Sequence, residues 1–280
     1  MKRLLVPTDF SPTSEKAFRF ALDIAKRSKG MIFLYHGITP HQKKSTESEE
    51  YSNNYTTESE IIIVKRLLRL KKKVLQDTPG ILISVGLGDT PLVPNILEFA
   101  LHNQIDLIVM GTQGARGLKK IIIGSLTSEI IEKSCIPVLL IPEKYKWKEP
   151  EIIAFADNCL KTDKQAIYSM RSFAHYYDAS FTIVHICKEA ADENIAKIEF
   201  EEYVSEMRKE FYPVELNFQR VKALSVTETM ENLHTIIPYD LLVMLRRKKT
   251  FIKRFLHASF TKKMAYVTHL PLLVIPELEN

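Results

Sequence analysis

The residue pattern with most chemical content is Gly111-Thr-Gln-Gly114, then nine residues, then Gly124-Ser125. Glycine lets a backbone approach a ligand closely. A helix start presents unpaired N–H groups and a positive dipole end to an anion. Two glycines leaving a strand, with a glycine-serine pair opening a helix, therefore make a cradle suited to phosphate oxygens. An ordinary glycine-punctuated strand–loop–helix has the same outline and stays open as the alternative. The chain has no Gly-Lys-Ser/Thr, which excludes a Walker loop, and Gly86-Leu-Gly88 lacks the later glycine of a dinucleotide fingerprint.

Such a cradle needs a strand before it and a helix after it. Ile105 to Met110 is a short apolar run ended by Gly111 and reads as a buried strand. Ser125 to Lys133 reads as a helix with Ser125 at its start. At the amino end, Leu4 to Asp9 reads as a strand closed by a carboxylate, and Ser11-Pro12 as an N-cap followed by proline at the first helical position. A helix runs from Thr13 to about Ser28 with Ala17, Phe18, Ala21, Leu22, Ile24 and Ala25 on one face, and Met31 to Tyr35 is the next strand. Strand–helix–strand with short joints implies a parallel sheet with right-handed crossovers. Ligands of such sheets sit at the carboxyl ends of the strands, where Asp9, Gly37 and Gly111 all fall.

The chain resembles the universal stress protein family, and more closely its tandem members. The resemblance is carried by Val6-Pro-Thr-Asp-Phe-Ser11, Tyr35-His36, Asp106 to Gly111, Gly114 with Gly124-Ser125, and Pro137 to Pro142. It implies an α/β fold of two tandem Rossmann-like domains of the adenine nucleotide alpha hydrolase-like kind. Each would be a five-stranded, mostly parallel sheet with helices on both faces. It also implies an adenine nucleotide as ligand, ATP or a relative, with Mg²⁺ bridging the phosphates. In that reading Pro7, Thr8 and Asp9 border the adenine and ribose. The Gly37 backbone meets the adenine edge, and Met110 and Gly111 line the ribose side. Gln113 and Gly114 approach the phosphates, while Gly124, Ser125, Leu126 and Thr127 supply N–H and hydroxyl donors.

The chain also repeats itself. Asp9 matches Asp157 at an offset of 148, and Asp106–Met110 matches Asp240–Met244 at an offset of 134, so the second repeat is 14 residues shorter in its middle. Pro137 to Glu143 matches Pro271 to Glu277 at the same 134. The expected domains are residues 1–143, with the cradle intact, and residues 150–280, in which it is degenerate. There Gly111 aligns with Leu245, Gly114 with Lys248 and Gly124 with Ala258, and only Ser259 and Thr261 keep their types. Side chains at those positions should crowd phosphates or forbid positive φ. No acidic residue lies between Arg246 and Lys263, a stretch rich in Lys and Arg. A solvated surface is the commoner account of such a run, an anion- or partner-binding face the sharper one.

Hydrophobic residues at 45% and charged residues at 26% are ordinary for a globular protein, which sets disorder aside. A pI of 8.9 is only mildly basic, and no nucleic-acid partner is expected. No apolar run reaches transmembrane length, so no membrane partner is expected. Only three apolar residues separate Met1-Lys-Arg3 from Pro7, too few for a signal peptide. Cys135, Cys159 and Cys187 are isolated and point to a reducing compartment, hence a cytoplasmic location. His36 and His185 each end a second strand without metal-type companions, so they read as turn or core histidines and no metal cage is expected. Lys119 and Lys120 lie between the glycines, yet nothing marks a general base. The expectation is a binding protein with at most slow ATP hydrolysis and no catalytic residues. Its repeats would pair as a pseudo-dimer through their last strands, with a homodimer or a protein partner as further associations. A nucleotide-independent interaction protein is the competing reading. The polar stretch from His41 to Glu58 is expected to be a loop, and Ser59 to Gln76 a helix with Ile61, Ile62 and Ile63 facing inward and Lys71 to Lys73 solvated.

Overall fold

A computed structural model describes residues 1–38, 58–77, 80–112, 124–157, 163–188, 193–212, 215–246 and 269–277. The chain divides into two compact units, Met1–Glu143 and Lys144–Asn280. In the first, β1 (Arg3–Pro7), α1 (Pro12–Ser28), β2 (Met31–Gly37), α2 (Glu58–Asp77), β3 (Leu82–Gly88), α3 (Leu92–His102), β4 (Leu107–Gly111), α4 (Ser125–Lys133) and β5 (Val138–Ile141) follow one another. The strands are parallel and ordered β3-β2-β1-β4-β5. The chain thus grows the sheet one way from β1 to β3, then returns to the other side of β1 for β4. Right-handed crossovers then place α1 and α2 on one face and α3 and α4 on the other. The side chains agree: Phe33 and Tyr35 meet Phe99 of α3, while His36, alternate to them, meets Phe10 before α1.

Local chemistry explains the elements. Ser11 is the N-cap of α1, accepting from Ser14 N–H at 3.2 Å, with Pro12 directly inside. Lys29 closes α1 in the left-handed conformation at φ 52°. β1, β4 and β5 read as near-continuous apolar runs because both sheet faces are covered. β1 ends at Pro7, two residues before Asp9, so the carboxylate stands in the turn rather than at the strand tip. In α2 the apolar triplet is not inward as a block. Ile63 is buried, but Ile61 is 42% and Ile62 61% exposed, since the helical period gives the core Ile63, Leu67, Leu70 and Val74. Lys71 is not merely solvated either: its ammonium donates to the Ile83 carbonyl at 2.5 Å. Of the expected loop from His41 to Glu58, residues 41–57 lie outside the described residues and Glu58 opens α2.

The second unit has β6 (Ile152–Asp157), α5 (Asp163–Tyr177), β7 (Ser180–Lys188), α6 (Glu193–Phe211), β8 (Asn217–Ala223), the short α7 (Val226–Glu231) and α8 (Leu233–Ile236), β9 (Leu241–Arg246) and β10 (Leu272–Pro276). Its parallel strands are ordered β8-β7-β6-β9-β10, the topology of the first unit. The joints recur as well. Asp106 accepts the N–H groups of Lys2 and Arg3 at 2.6 and 2.9 Å, stitching β4 to β1. Asp240 does the same for Glu151 and Ile152 at 2.9 and 3.0 Å, stitching β9 to β6. Lys29 and Asp178 both take a left-handed turn before a second strand. No described helix is long and apolar enough to cross a membrane.

Candidate functional site

The carboxyl ends of β1 and β4 flank the point where strand order reverses, and of the sequence-predicted residues Pro7, Thr8, Asp9, Met110 and Gly111 lie at these two ends. Past β1, Thr8 is buried and extends the ladder by donating its N–H to the Tyr35 carbonyl at 2.8 Å. Its hydroxyl accepts from Phe10 N–H at 3.0 Å and pairs with Ser14 Oγ at 3.0 Å, and its carbonyl meets His36 Nδ1 at 2.7 Å. Asp9 is exposed, and its Oδ1 accepts the Ser11 N–H at 3.0 Å. The turn is thus made of two nested side-chain bonds that hold Asp9 at the rim. Phe10 pays for this geometry with a left-handed φ of 62°.

On β4, Met110 is buried and Gly111 ends the strand beside Ile141. Two bonds tie the start of α4 to this end: Gly124 N–H donates to the Thr112 carbonyl at 2.9 Å, and Thr127 Oγ1 to the Gly111 carbonyl at 3.1 Å. The first bond within α4 runs from Ser128 N–H to the Gly124 carbonyl at 3.0 Å, so the helix itself offers no carbonyl to Ser125, Leu126 and Thr127. Those three N–H groups thus have no carbonyl partner within the helix, and the Ser125 side chain is exposed. This donor set suits phosphate oxygens, and a divalent ion would be held through the phosphates. Among the described residues no group of three or more His, Cys, Asp or Glu could hold a metal by itself. Thr127 differs from expectation: its hydroxyl proton is committed to Gly111, leaving its N–H as the donor.

The glycines have packing reasons of their own. A Cβ on Gly111 would lie 2.5 Å from Thr13 Cγ2 and 3.2 Å from the Thr13 backbone carbon, in the first turn of α1. A Cβ on Gly37 would lie 2.3 Å from Leu92 Cδ2, at the start of α3. Positive φ is not the reason at Gly124, where φ is −59°, nor at Gly111. Of the two grounds offered for glycine here, crowding or positive φ, positive φ does not apply at these two positions. Gln113, Gly114, Lys119, Lys120, Lys248, Ala258, Ser259 and Thr261 lie outside the described residues.

Sequence reasoning did not single out Thr13, Leu92, Phe10 or Arg66. Arg66 of α2 places its guanidinium 4.2 Å from the Phe10 ring centroid, and Phe10 meets His36 at 4.7 Å. Of the two readings, core or turn histidine, His36 is the core one, buried within β2. Burial, aided by Asp89 and Glu98, raises the Tyr35 hydroxyl above its ordinary range, so it stays neutral. Cys135 and Cys187 are free thiols.

A doubly wound parallel sheet with helices on both faces places the chain among Rossmann-like α/β proteins. Residues 1–142 match the model of the universal stress protein family, and the chain belongs to that family. A universal stress protein of Methanocaldococcus jannaschii is 32% identical over 164 residues, covering 51% of this chain and 96% of that protein. A second from the same organism is 29% identical over 146 residues, covering 52% of this chain and 84% of that protein. Among solved structures, the crystal structure of a universal stress protein from Archaeoglobus fulgidus covers 98% of this chain and 96% of its own at a TM-score of 0.67. At 18% identity that likeness concerns the fold.

Proposed function

We propose that the first unit binds an adenine nucleotide, ATP with Mg²⁺ or a relative, and that the protein is a cytoplasmic stress-response regulator rather than a catalyst. The single observation that carries this reading is the docking of the α4 N-terminus onto the β4 end through the Gly124–Thr112 and Thr127–Gly111 bonds, beside the Asp9 turn. A helix start held there would offer its free N–H groups to a polyphosphate. Pro7, Thr8, Asp9, Gly37 and Met110 would then surround base and sugar, and Gln113 and Gly114 would join the phosphate side. Residues 150–280 are read as a degenerate copy that holds no nucleotide, since Leu245 replaces Gly111 at the end of β9.

The test is calorimetric titration of the nucleotide-stripped protein with ATP and Mg²⁺. The expected stoichiometry is near one per chain, with binding lost in Gly114→Asp. Two per chain would overturn the restriction to the first unit. One observation favours the second reading, a nucleotide-independent interaction protein: Gly37 and Gly111 both touch protein atoms that explain them without a ligand. Absence of any binding would select that reading.

A further inference from the structure

We infer that Arg66 is a positioning residue for the nucleotide site, acting through the Phe10 ring on the turn that carries Asp9. The inference rests on the nucleotide reading above. Phe10 is a bulky residue held at φ 62°, a conformation that single L-residues avoid unless their surroundings fix it. The surroundings are visible. One neighbour of the ring is the Arg66 guanidinium, 4.2 Å from its centroid, and another is the His36 imidazole at 4.7 Å and a 30° tilt. His36 Nδ1 also meets the Thr8 carbonyl at 2.7 Å, so the residue that flanks the ring also grips the residue before Asp9. The Phe10 N–H is bound to Thr8 Oγ1 at 3.0 Å and the Ser11 N–H to Asp9 Oδ1 at 3.0 Å. Asp9 therefore sits in a turn held by these two bonds, next in the chain to Phe10. Arg66 is the contribution of α2, otherwise remote from the site. It projects from the helix between the buried Ile63, Leu67 and Leu70, which anchor its backbone. Its own side is exposed, so its removal leaves no buried cavity.

Because this turn borders base and sugar, the effect of Arg66 falls on that end of the ligand and not on the phosphates. The experiment compares the parent with Arg66→Ala, Arg66→Lys, Phe10→Leu and the Arg66→Ala/Phe10→Leu double variant. Each is titrated with AMP and with Mg²⁺-ATP, and its thermal midpoint is recorded. Loss of an exposed cation–π contact is expected to weaken binding about two- to five-fold. The factor should be the same for AMP and ATP, be partly restored by Arg66→Lys, and leave the midpoint close to the parent's. The double variant should bind no more weakly than the weaker single one, because Arg66 acts only through the ring. Arg66→Ala binding as the parent does, or effects that multiply in the double variant, would overturn the inference alone. A larger loss for ATP than for AMP would overturn it too, by placing Arg66 on the phosphates. A parent that binds neither nucleotide would overturn the nucleotide reading and this inference with it.

Discussion

Gly111→Ala separates the two accounts of this glycine. The new Cβ would stand 2.5 Å from Thr13 Cγ2, 3.1 Å from Thr13 Cβ and 3.2 Å from its backbone carbon. Carbon atoms pack best at about 3.5–4.0 Å, so the shortfall is about 1 Å at the methyl and a few tenths at the backbone. Thr13 cannot simply retreat. It is buried in the first turn of a helix pinned by the Ser11 cap and by Pro12. Overpacking of this kind costs about 1–3 kcal/mol, and rigid surroundings argue for about 2. In a unit of this size that is a drop of roughly 4–8 °C in midpoint. Thr13→Ser removes the methyl in closest contact and keeps the hydroxyl. Combined with Gly111→Ala it should recover roughly 1 kcal/mol, as a coupling between touching residues. Scanning calorimetry of the full chain without nucleotide gives the midpoints. Amide exchange in β4 and α1 shows that the loss is local. An alanine variant that melts with the parent would refute the steric reasoning, as would strictly additive effects in the pair. Unchanged stability with weakened ATP binding would assign Gly111 to the ligand instead.

The contrasting substitution is Gly37→Ala. Its Cβ would meet only the end of the Leu92 side chain, a half-buried group free to swing away, so the same scan should show a cost under about 1 kcal/mol. Asp106→Ala removes the acceptor of the Lys2 and Arg3 amides and should lower the unfolding free energy of the first unit, read by urea titration, by about 1–2 kcal/mol, with Asp240→Ala doing the same to the second. Burial pushes the Tyr239 hydroxyl up to about 12 from 10.0. The unfolded chain then loses that proton first, so stability falls as pH rises from about 10 toward 12, by on the order of 2 kcal/mol. Unfolding of Tyr239→Phe followed across that range should show a shallower alkaline decline, and an identical decline would refute the assignment.

Where patterns are local, the sequence was a good guide. Ser11-Pro12 marks a helix start because capping and proline geometry act within one turn, and α1 begins there. β4, α4 and β6 were legible for the same reason: short apolar runs and a glycine-serine boundary are read residue by residue. The Ile61–Ile63 triplet misled because a run of three apolar residues carries no helical phase. The core partners Leu67, Leu70 and Val74 supply that phase from later turns. The edge strand β3, with Leu82 at 70% exposure and Gly86 and Gly88 near its end, is weakly patterned for a strand, and the helix after it went unread.

At the candidate site the sequence offers positions and not causes. A glycine in a sequence says that a Cβ is unwelcome; it does not say what stands in the way. Spacing alone allowed a phosphate to be the obstacle at Gly111, and the structure adds a methyl group of Thr13, nearly a hundred residues distant in the chain. The two causes are compatible. A strand end brought this close to the first turn of α1 is also the end to which Thr127 and Gly124 bind the start of α4. Packing that excludes a side chain at Gly111 thereby leaves the β4 terminus as bare backbone beside the helix amides. Phe10 makes the complementary point. No propensity puts phenylalanine in a left-handed turn, and the neighbours its ring meets there, Arg66 and His36, come from two other elements. Such reasons are tertiary, and they surface only when β1, β2 and α2 are seen side by side.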